Sequence, residues 1–532
     1  MRKFVFLTAT LALAQSTDIS GERIRAHVKF LASDLLEGRG VGARGGDLAT
    51  EYIAAQFALV GAKPAGDAGT YFQSLTLVGV NPQPTSTLKA GETSFRWLDD
   101  FVGVTYQQKT DAAFDADAVF VGHGIVAPEY QWDDYAGVNV KGKVVVLFTN
   151  EPPSNDPKFF TGRALTYYGR WTYKYEEAAR HGGVAAIIIH TTPTASYGWD
   201  VVRGSWGRED SQVKLAPGQQ QLALAAWVTK EAGEKLAATL GHSVDELVKM
   251  ADARGFKAMP MPMRISGAAP ATVREIRTRN VVAKIEGSDS KLKDEAVIFS
   301  AHWDHLGIGD PVKGDAIYNG AADNATGCAM IMEIARAWAG LPEKPRRSAI
   351  FLAVTAEEAG LRGSEFYGQH PVVAAGKTAA DINLDMFMPW GRARDVNVIG
   401  AERTTLYPLV QEAARRFEFT IMPDPRPEAG VYYRSDHFSF ARVGIPAFSI
   451  DQGIDLLGKP AGTGKKLFDE FEDQHYHQPS DEYHDDWEFT GMEHYARFAM
   501  LIGVNTANLP KVPTWLKGDE FLPAREASGV KE

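Results

Sequence analysis

Val297-Ile298-Phe299-Ser300-Ala301-His302-Trp303-Asp304-His305 runs from an apolar strand straight into two imidazoles and a carboxylate. The same event recurs twice downstream. Residues 350–355 are apolar up to Thr355 and lead into Ala356-Glu357-Glu358, and Ile382-Asn383-Leu384 leads into Asp385. Short, nearly continuous apolar runs belong to strands buried on both faces, the mark of a parallel sheet covered by helices. In open α/β sheets, functional groups gather just beyond the carboxyl ends of such strands.

Outward from these runs, strand and helix patterns alternate from about residue 280. Strands are expected over 281–285, 296–301, 349–355, 381–385, 396–399 and 447–450, and helices over 325–339, 406–417 and 492–507. The fold class that follows is α/β, with a mixed, largely parallel central sheet flanked by helices. Residues 20–62 read as two helices around a glycine-rich loop, in which Gly40, Gly42 and Gly45 fit G-x-G-x-x-G. That dinucleotide fingerprint needs a preceding strand, so a loop between helices is the better reading. Gly462-Thr463-Gly464-Lys465 lacks the remaining residues of a phosphate loop. From about 100 to 265 the chain is β-rich, and Met259-Pro260-Met261-Pro262-Met263 reads as a domain edge.

Composition narrows the function. The 532 residues hold 56 Lys+Arg against 67 Asp+Glu, a net charge of −11, and a single cysteine, Cys328. An acidic chain without a basic block does not suit nucleic acid or an anionic membrane surface. One cysteine makes no intrachain disulfide and no thiolate-rich metal site, and Cys328 reads as a small buried residue. Arg2 and Lys3, the apolar run from Phe4 to Leu13 and Ala12-Leu13-Ala14 read as a signal peptide cut after Ala14, giving a secreted or periplasmic protein without stable membrane insertion. No G-x-S-x-G occurs, and Ser435, Asp436 and His437 are no triad on adjacency alone.

The chemistry must then come from His, carboxylates, Ser or backbone, and the His and carboxylates are the residues loaded at the strand ends. Between the first two loaded strands lies Gly320-Ala321-Ala322-Asp323-Asn324, and far downstream comes His475-Tyr476-His477-Gln478-Pro479-Ser480-Asp481. Imidazole and carboxylate oxygen are what Zn²⁺ and similar ions take when thiolate is absent. Asp323, Glu358 and Asp385 would bring three negative charges, which suits two divalent ions and one hydroxide. A bridging carboxylate would hold such ions about 3.5–4 Å apart.

Five motifs together resemble the M28 metallopeptidases, the co-catalytic zinc aminopeptidases, in a form with an inserted protease-associated domain. They are Ala301-His302-Trp303-Asp304, Gly320-Ala321-Ala322-Asp323-Asn324, Thr355-Ala356-Glu357-Glu358, Asn383-Leu384-Asp385-Met386 and Tyr476-His477-Gln478-Pro479-Ser480-Asp481. Residues 30–39 are similar to the family's N-terminal helices, and Val119-Phe120-Val121-Gly122-His123-Gly124-Ile125 and Val140-Lys141-Gly142-Lys143-Val144-Val145 resemble protease-associated domains.

The resemblance implies two Zn²⁺ per chain, one on His302 and Asp385, the other on Glu358 and His477, with Asp323 bridging. It implies Asp304 as the partner of the other His302 ring nitrogen, Glu357 as general base and Tyr476 as donor to the tetrahedral oxyanion. His305 is expected to be supporting or structural. The domains implied are a signal peptide over 1–14, a discontinuous peptidase domain over 18–100 and 267–510, the protease-associated insertion over 101–266 and a polar C-terminal tail over 511–532. The partners are peptides with a free amino terminus. Glutaminyl cyclase, carboxypeptidase or dipeptidase action on the same fold stands as the alternative, and a non-catalytic receptor-like protein would be expected to have lost ligands or Glu357. Arg434-Ser435-Asp436-His437 resembles a segment near the family's substrate pocket, against a helix cap at Ser435 or Asp436. Sequence does not fix the oligomeric state.

Overall fold

The computed structural model describes residues 19–195 and 198–530. Residues 1–14, where the export signal is expected, lie outside them. The chain divides into two compact units, the first holding the described residues up to Leu75 with Arg277–Pro425 and Arg434 onward, the second Thr76–Ile276 with Arg426–Tyr433.

In the first unit, helices α1 (Gly21–Leu31) and α2 (Arg44–Leu59) flank the glycine-rich loop, as expected. Strand β1 (Met259–Ile285) contributes its end to this unit. There follow β2 (Ala296–His302), α3 (Thr326–Ala339), β3 (Ser348–Val354), α4 (Arg362–Gln369), β4 (Thr378–Leu384), β5 (Asp395–Ile399), α5 (Tyr407–Arg416), α6 (His437–Arg442), β6 (Ala447–Gln452), α7 (Thr463–Gln474) and α8 (Thr490–Ala507). Strands β3, β2, β4 and β6 lie side by side in parallel, in that order. Strand β1 pairs antiparallel with β3 on one side, and β5 antiparallel with β6 on the other. The sheet is therefore mixed with a parallel centre, as its apolar runs predict. Every residue of β2, β3 and β4 is buried.

Packing explains why these strands sit in the middle. Val297, Phe299 and Ala301 of β2 join residues of α1, α2, α3 and α8 in one core. Phe299 stacks on Phe351 with ring centroids 5.5 Å apart, and α8 reaches this pair through Gly503, where a Cβ would collide with the Phe299 ring. Cys328 is buried in α3. No helix among the described residues is long and apolar enough to cross a membrane.

The second unit is a sheet with strands 111–120, 144–148, 185–189 and 224–228 parallel in its middle. Residues 259–270 of β1 pair antiparallel with 111–120, and 101–104 pair antiparallel with 224–228. Alternation divides the central strand cleanly: Val144, Val146 and Phe148 enter one core, Val145 and Leu147 the other. Helix Val244–Ala251 begins with a capping box between Ser243 and Glu246.

Two readings need correcting. The proline-rich run at 259–263 is no domain edge but the start of β1, where the register shifts between Pro260 and Arg264 and so absorbs residues that cannot donate to the ladder. The residues after 510, expected as a polar C-terminal tail, pack into the first unit. Trp515 and Arg525 are fully buried, Trp515 Nε1 donates to the Gly444 carbonyl at 3.0 Å, and Arg525 donates to the carbonyls of Pro513, Ala375 and Thr378. The expected boundaries at 100/101 and 266/267 fall inside the second unit.

Candidate metal centre

Six side chains gather beyond the carboxyl ends of the parallel strands. His302 is the last residue of β2, Asp385 follows β4, and Glu357 and Glu358 follow β3. Asp323 stands in the turn that opens α3, and His477 in the loop after α7. The backbone is bent hard to aim them. Ala356 before the two glutamates, Met386 after Asp385 and His477 itself have φ of 54°, 57° and 57°, the left-handed region that non-glycine residues avoid. Strain of this kind collects where geometry is fixed for function.

Asp323 faces two ways. Its Oδ1 lies 3.1 Å from His302 Nε2, and its Oδ2 lies 3.3 Å from His477 Nε2. His302 Nε2 also lies 3.1 Å from Asp385 Oδ1, and His477 Nε2 lies 3.0 Å from Glu358 Oε2. The side chains thus form two clusters sharing one carboxylate. The other His302 nitrogen, Nδ1, has the Asp304 carbonyl oxygen at 3.1 Å and the Asp304 carboxylate at 4.0 Å, while that carboxylate accepts the Glu357 main-chain N–H at 3.2 Å. Tyr476 is partly exposed, its ring stacked on His477 with centroids 3.9 Å apart.

Donor types and orphaned atoms fit divalent ions. One ligand atom each of His302, Asp323 and Glu358 lie within 4.8 Å of one another. His305 Nε2 is buried with no hydrogen-bond partner among the described residues, while His305 Nδ1 lies 2.7 Å from Glu358 Oε1 and His477 Nε2 faces only the carboxylates of Glu358 and Asp323. Buried polar atoms without partners are costly unless something else satisfies them. The charges are strongly coupled. Burial works to lower His477, yet Glu358 and Asp323 hold it up at about 10. Burial and Asp323 push Glu358 up, but His305 and His477 bring it down to about 2. Burial, with Glu358 and Asp385 nearby, holds Glu357 well above the usual carboxyl range despite His302.

Residues to which the sequence alone assigned no supporting role build the frame. Arg39, 1% exposed, donates to the carbonyls of Trp303, Leu31, Asn319 and Gly320. One guanidinium therefore ties the turn after β2 to the approach to Asp323. Asp481 accepts the main-chain N–H groups of Ala322 and Asp323 at 2.9 and 3.1 Å. Asn324 links the same turn to β4 by donating to the Leu384 carbonyl at 3.0 Å. Ser435 is no helix cap: its hydroxyl donates to Asp385 Oδ2 at 2.6 Å. An Arg between two glycines, and an acid four residues past His477, were the available signals.

Residues 280–501 match the sequence profile of Peptidase family M28, so the family resemblance read from the five motifs holds over that segment. A "Probable zinc metalloprotease" of Pyricularia oryzae is 34% identical over 119 residues, 22% of this chain and 23% of that protein. One from Pyrenophora teres f. teres is 35% identical over 113 residues, 21% of this chain and 23% of that protein. The matched stretch is thus under a quarter of these curated relatives. An aminopeptidase from Aneurinibacillus sp. strain AM-1 shares the fold with a TM-score of 0.51 at 20% identity, covering 95% of this chain and 97% of that one.

Proposed function

We propose that this chain is a zinc-dependent aminopeptidase that removes N-terminal residues from peptides. The observation that carries the reading is Asp323, which turns one oxygen to His302 and the other to His477. His302 and Asp385 would hold one Zn²⁺, Glu358 and His477 a second, and Asp323 both. Bound zinc supplies a Lewis acid and lowers the pKa of a coordinated water from 15.7 to about 7.

The protein's own groups then divide the work. Glu357, anchored by its main-chain N–H on Asp304, takes a proton from the attacking water at a carboxylate oxygen and returns it to the leaving amine. Tyr476, whose hydroxyl is pushed up by burial and the surrounding acids, stays protonated as a donor to the developing oxyanion. The acid-rich cluster gives the ammonium of a free amino terminus its countercharge. On the same reading, residues 1–14 direct export and the second unit is the protease-associated insertion, supported by its β-rich texture and the two motifs at 119–125 and 140–145.

Cleavage of aminoacyl anilides, lost on chelation and restored by Zn²⁺, tests the proposal. Cleavage confined to N-blocked peptides with a free carboxyl end would replace it with carboxypeptidase action.

A further inference from the structure

Beneath Asp385 runs a line of side chains that the proposed chemistry does not use. Asp381, Asn383 and Asp385 alternate onto one side of the β4 line, and Ser300 of β2 sits opposite Asn383 in the register. Asp381 Oδ1 lies 2.8 Å from Ser300 Oγ, and Ser300 Oγ lies 3.1 Å from Asn383 Oδ1. Asn383 Nδ2 donates to Ser435 Oγ at 2.7 Å, and Ser435 Oγ donates to Asp385 Oδ2 at 2.6 Å. Asp381, Ser300 and Asn383 are fully buried.

Counting hydrogens gives the line a direction. Each serine hydroxyl has one. Asn383 donates to Ser435, so the Ser435 hydrogen goes to Asp385. The Asn383 carbonyl then needs the single Ser300 hydrogen, and Ser300 can meet Asp381 only as an acceptor. Were Asp381 ionised, it would draw the Ser300 hydrogen to itself. The Asn383 amide would turn over, its oxygen would take the Ser435 hydrogen, and Asp385 Oδ2 would lose its donor.

We propose that Asp381 is a positioning residue for Asp385: it donates into this line, and the direction it imposes delivers the only Ser435 hydrogen to Asp385 Oδ2, leaving Oδ1 to face His302. Asp381 Oδ2 has no hydrogen-bond partner among the described residues, tolerable for a carboxylic acid and costly for a buried carboxylate. Burial holds the Asp381 carboxyl well above its usual range, with Asp436 adding to the rise. Tyr367 of α4 also interacts with it. The inference rests on Asp385 being a metal ligand.

The test is a Zn²⁺ titration against a chromophoric chelator, with the infrared carbonyl band of protonated carboxylic acids recorded alongside. Partners of metal ligands typically contribute about 10–100-fold in affinity. Ser300→Ala and Ser435→Ala should each lose that much, and the double variant no more than Ser435→Ala, because both break one line. Asp381→Asn, whose amide can still donate to Ser300, should keep affinity within a few-fold while deleting one protonated-carboxyl band. Full affinity in Ser300→Ala, additive losses, or no band lost in Asp381→Asn would each overturn the proposal. A wild-type chain that binds no Zn²⁺ would overturn the metal reading instead, and the band difference still decides the state of Asp381.

Discussion

Asp481 accepts the main-chain N–H of Asp323 at 3.1 Å, so one carboxylate fixes the backbone of another that sits between two imidazoles. A second bond, from the Ala322 N–H at 2.9 Å, stops the turn from rotating about the first. Both N–H groups lie at a buried turn with no helix to satisfy them.

Replacing Asp481 with Ala should therefore weaken Zn²⁺ binding about 10–100-fold without touching any ligand. Asp481→Asn, with one acceptor oxygen for two donors, should fall between. Competition titrations measure both. Wild-type affinity in Asp481→Ala would show that the turn holds Asp323 unaided.

Glu357 and Glu358 are neighbours in sequence and differ in partners. Glu358 lies against His305 and His477, whereas Glu357 is fixed through its backbone to Asp304. Glu357→Gln should keep the metal content of the wild type and lower kcat by about 10²–10⁴, the worth of a positioned general base. Metal analysis beside steady-state kinetics separates the roles, and unchanged kcat would remove Glu357 as the base.

What sequence made legible here is what side chains announce. The apolar runs of β2, β3 and β4 mark strands buried on both faces, and His302, Glu357, Glu358 and Asp385 stand where those runs stop. Arg39 was hidden because its partners are main-chain carbonyls, which no composition records, 264–281 residues away in three cases and 8 in the fourth. Ser435 was hidden similarly, its partner Asp385 lying 50 residues earlier. The boundaries near 75 and 276 escaped because the chain passes there from one unit to the other within strands, 72–82 and β1, where neither turn residues nor a change of texture marks the place.

Two histidines away from the centre should make stability depend on mild acid. Burial, with Arg23 nearby, lowers His27 to about 4, and burial, with Arg392, lowers His494 to about 4. Between about pH 6.5 and 4 the unfolded chain binds protons at these sites that the folded chain refuses, so each contribution is intact above 6.5 and lost as pH falls. His27 also meets the Tyr52 hydroxyl through Nδ1 at 2.9 Å, and His494 Nε2 faces Arg392 at 3.1 Å, a contact available to neutral imidazole. The double variant His27→Gln, His494→Gln should lose less stability than the wild type between pH 6.5 and 4.5, by about 1 kcal/mol or more. Denaturation midpoints at both pH values check this, and parallel pH profiles would exclude it.

The shared carboxylate makes metal stoichiometry the sharpest measurement on the centre. His302 and Asp385 pair on one side of Asp323, His477 and Glu358 on the other, and the sides touch through Asp323 alone among the five. His477→Ala should leave a chain that holds one tightly bound Zn²⁺, with the remaining ion on His302, Asp385 and Asp323. His302→Ala should do the same for the opposite side. Asp323→Ala should weaken both ions together, since each loses a ligand and the facing acids lose the geometry that separates them. Zinc analysis after gel filtration, read as ions per chain, distinguishes these cases. If Asp323→Ala lost one ion and kept the other at full affinity, Asp323 would belong to one side only, and the two-ion reading would have to be rebuilt without a bridge.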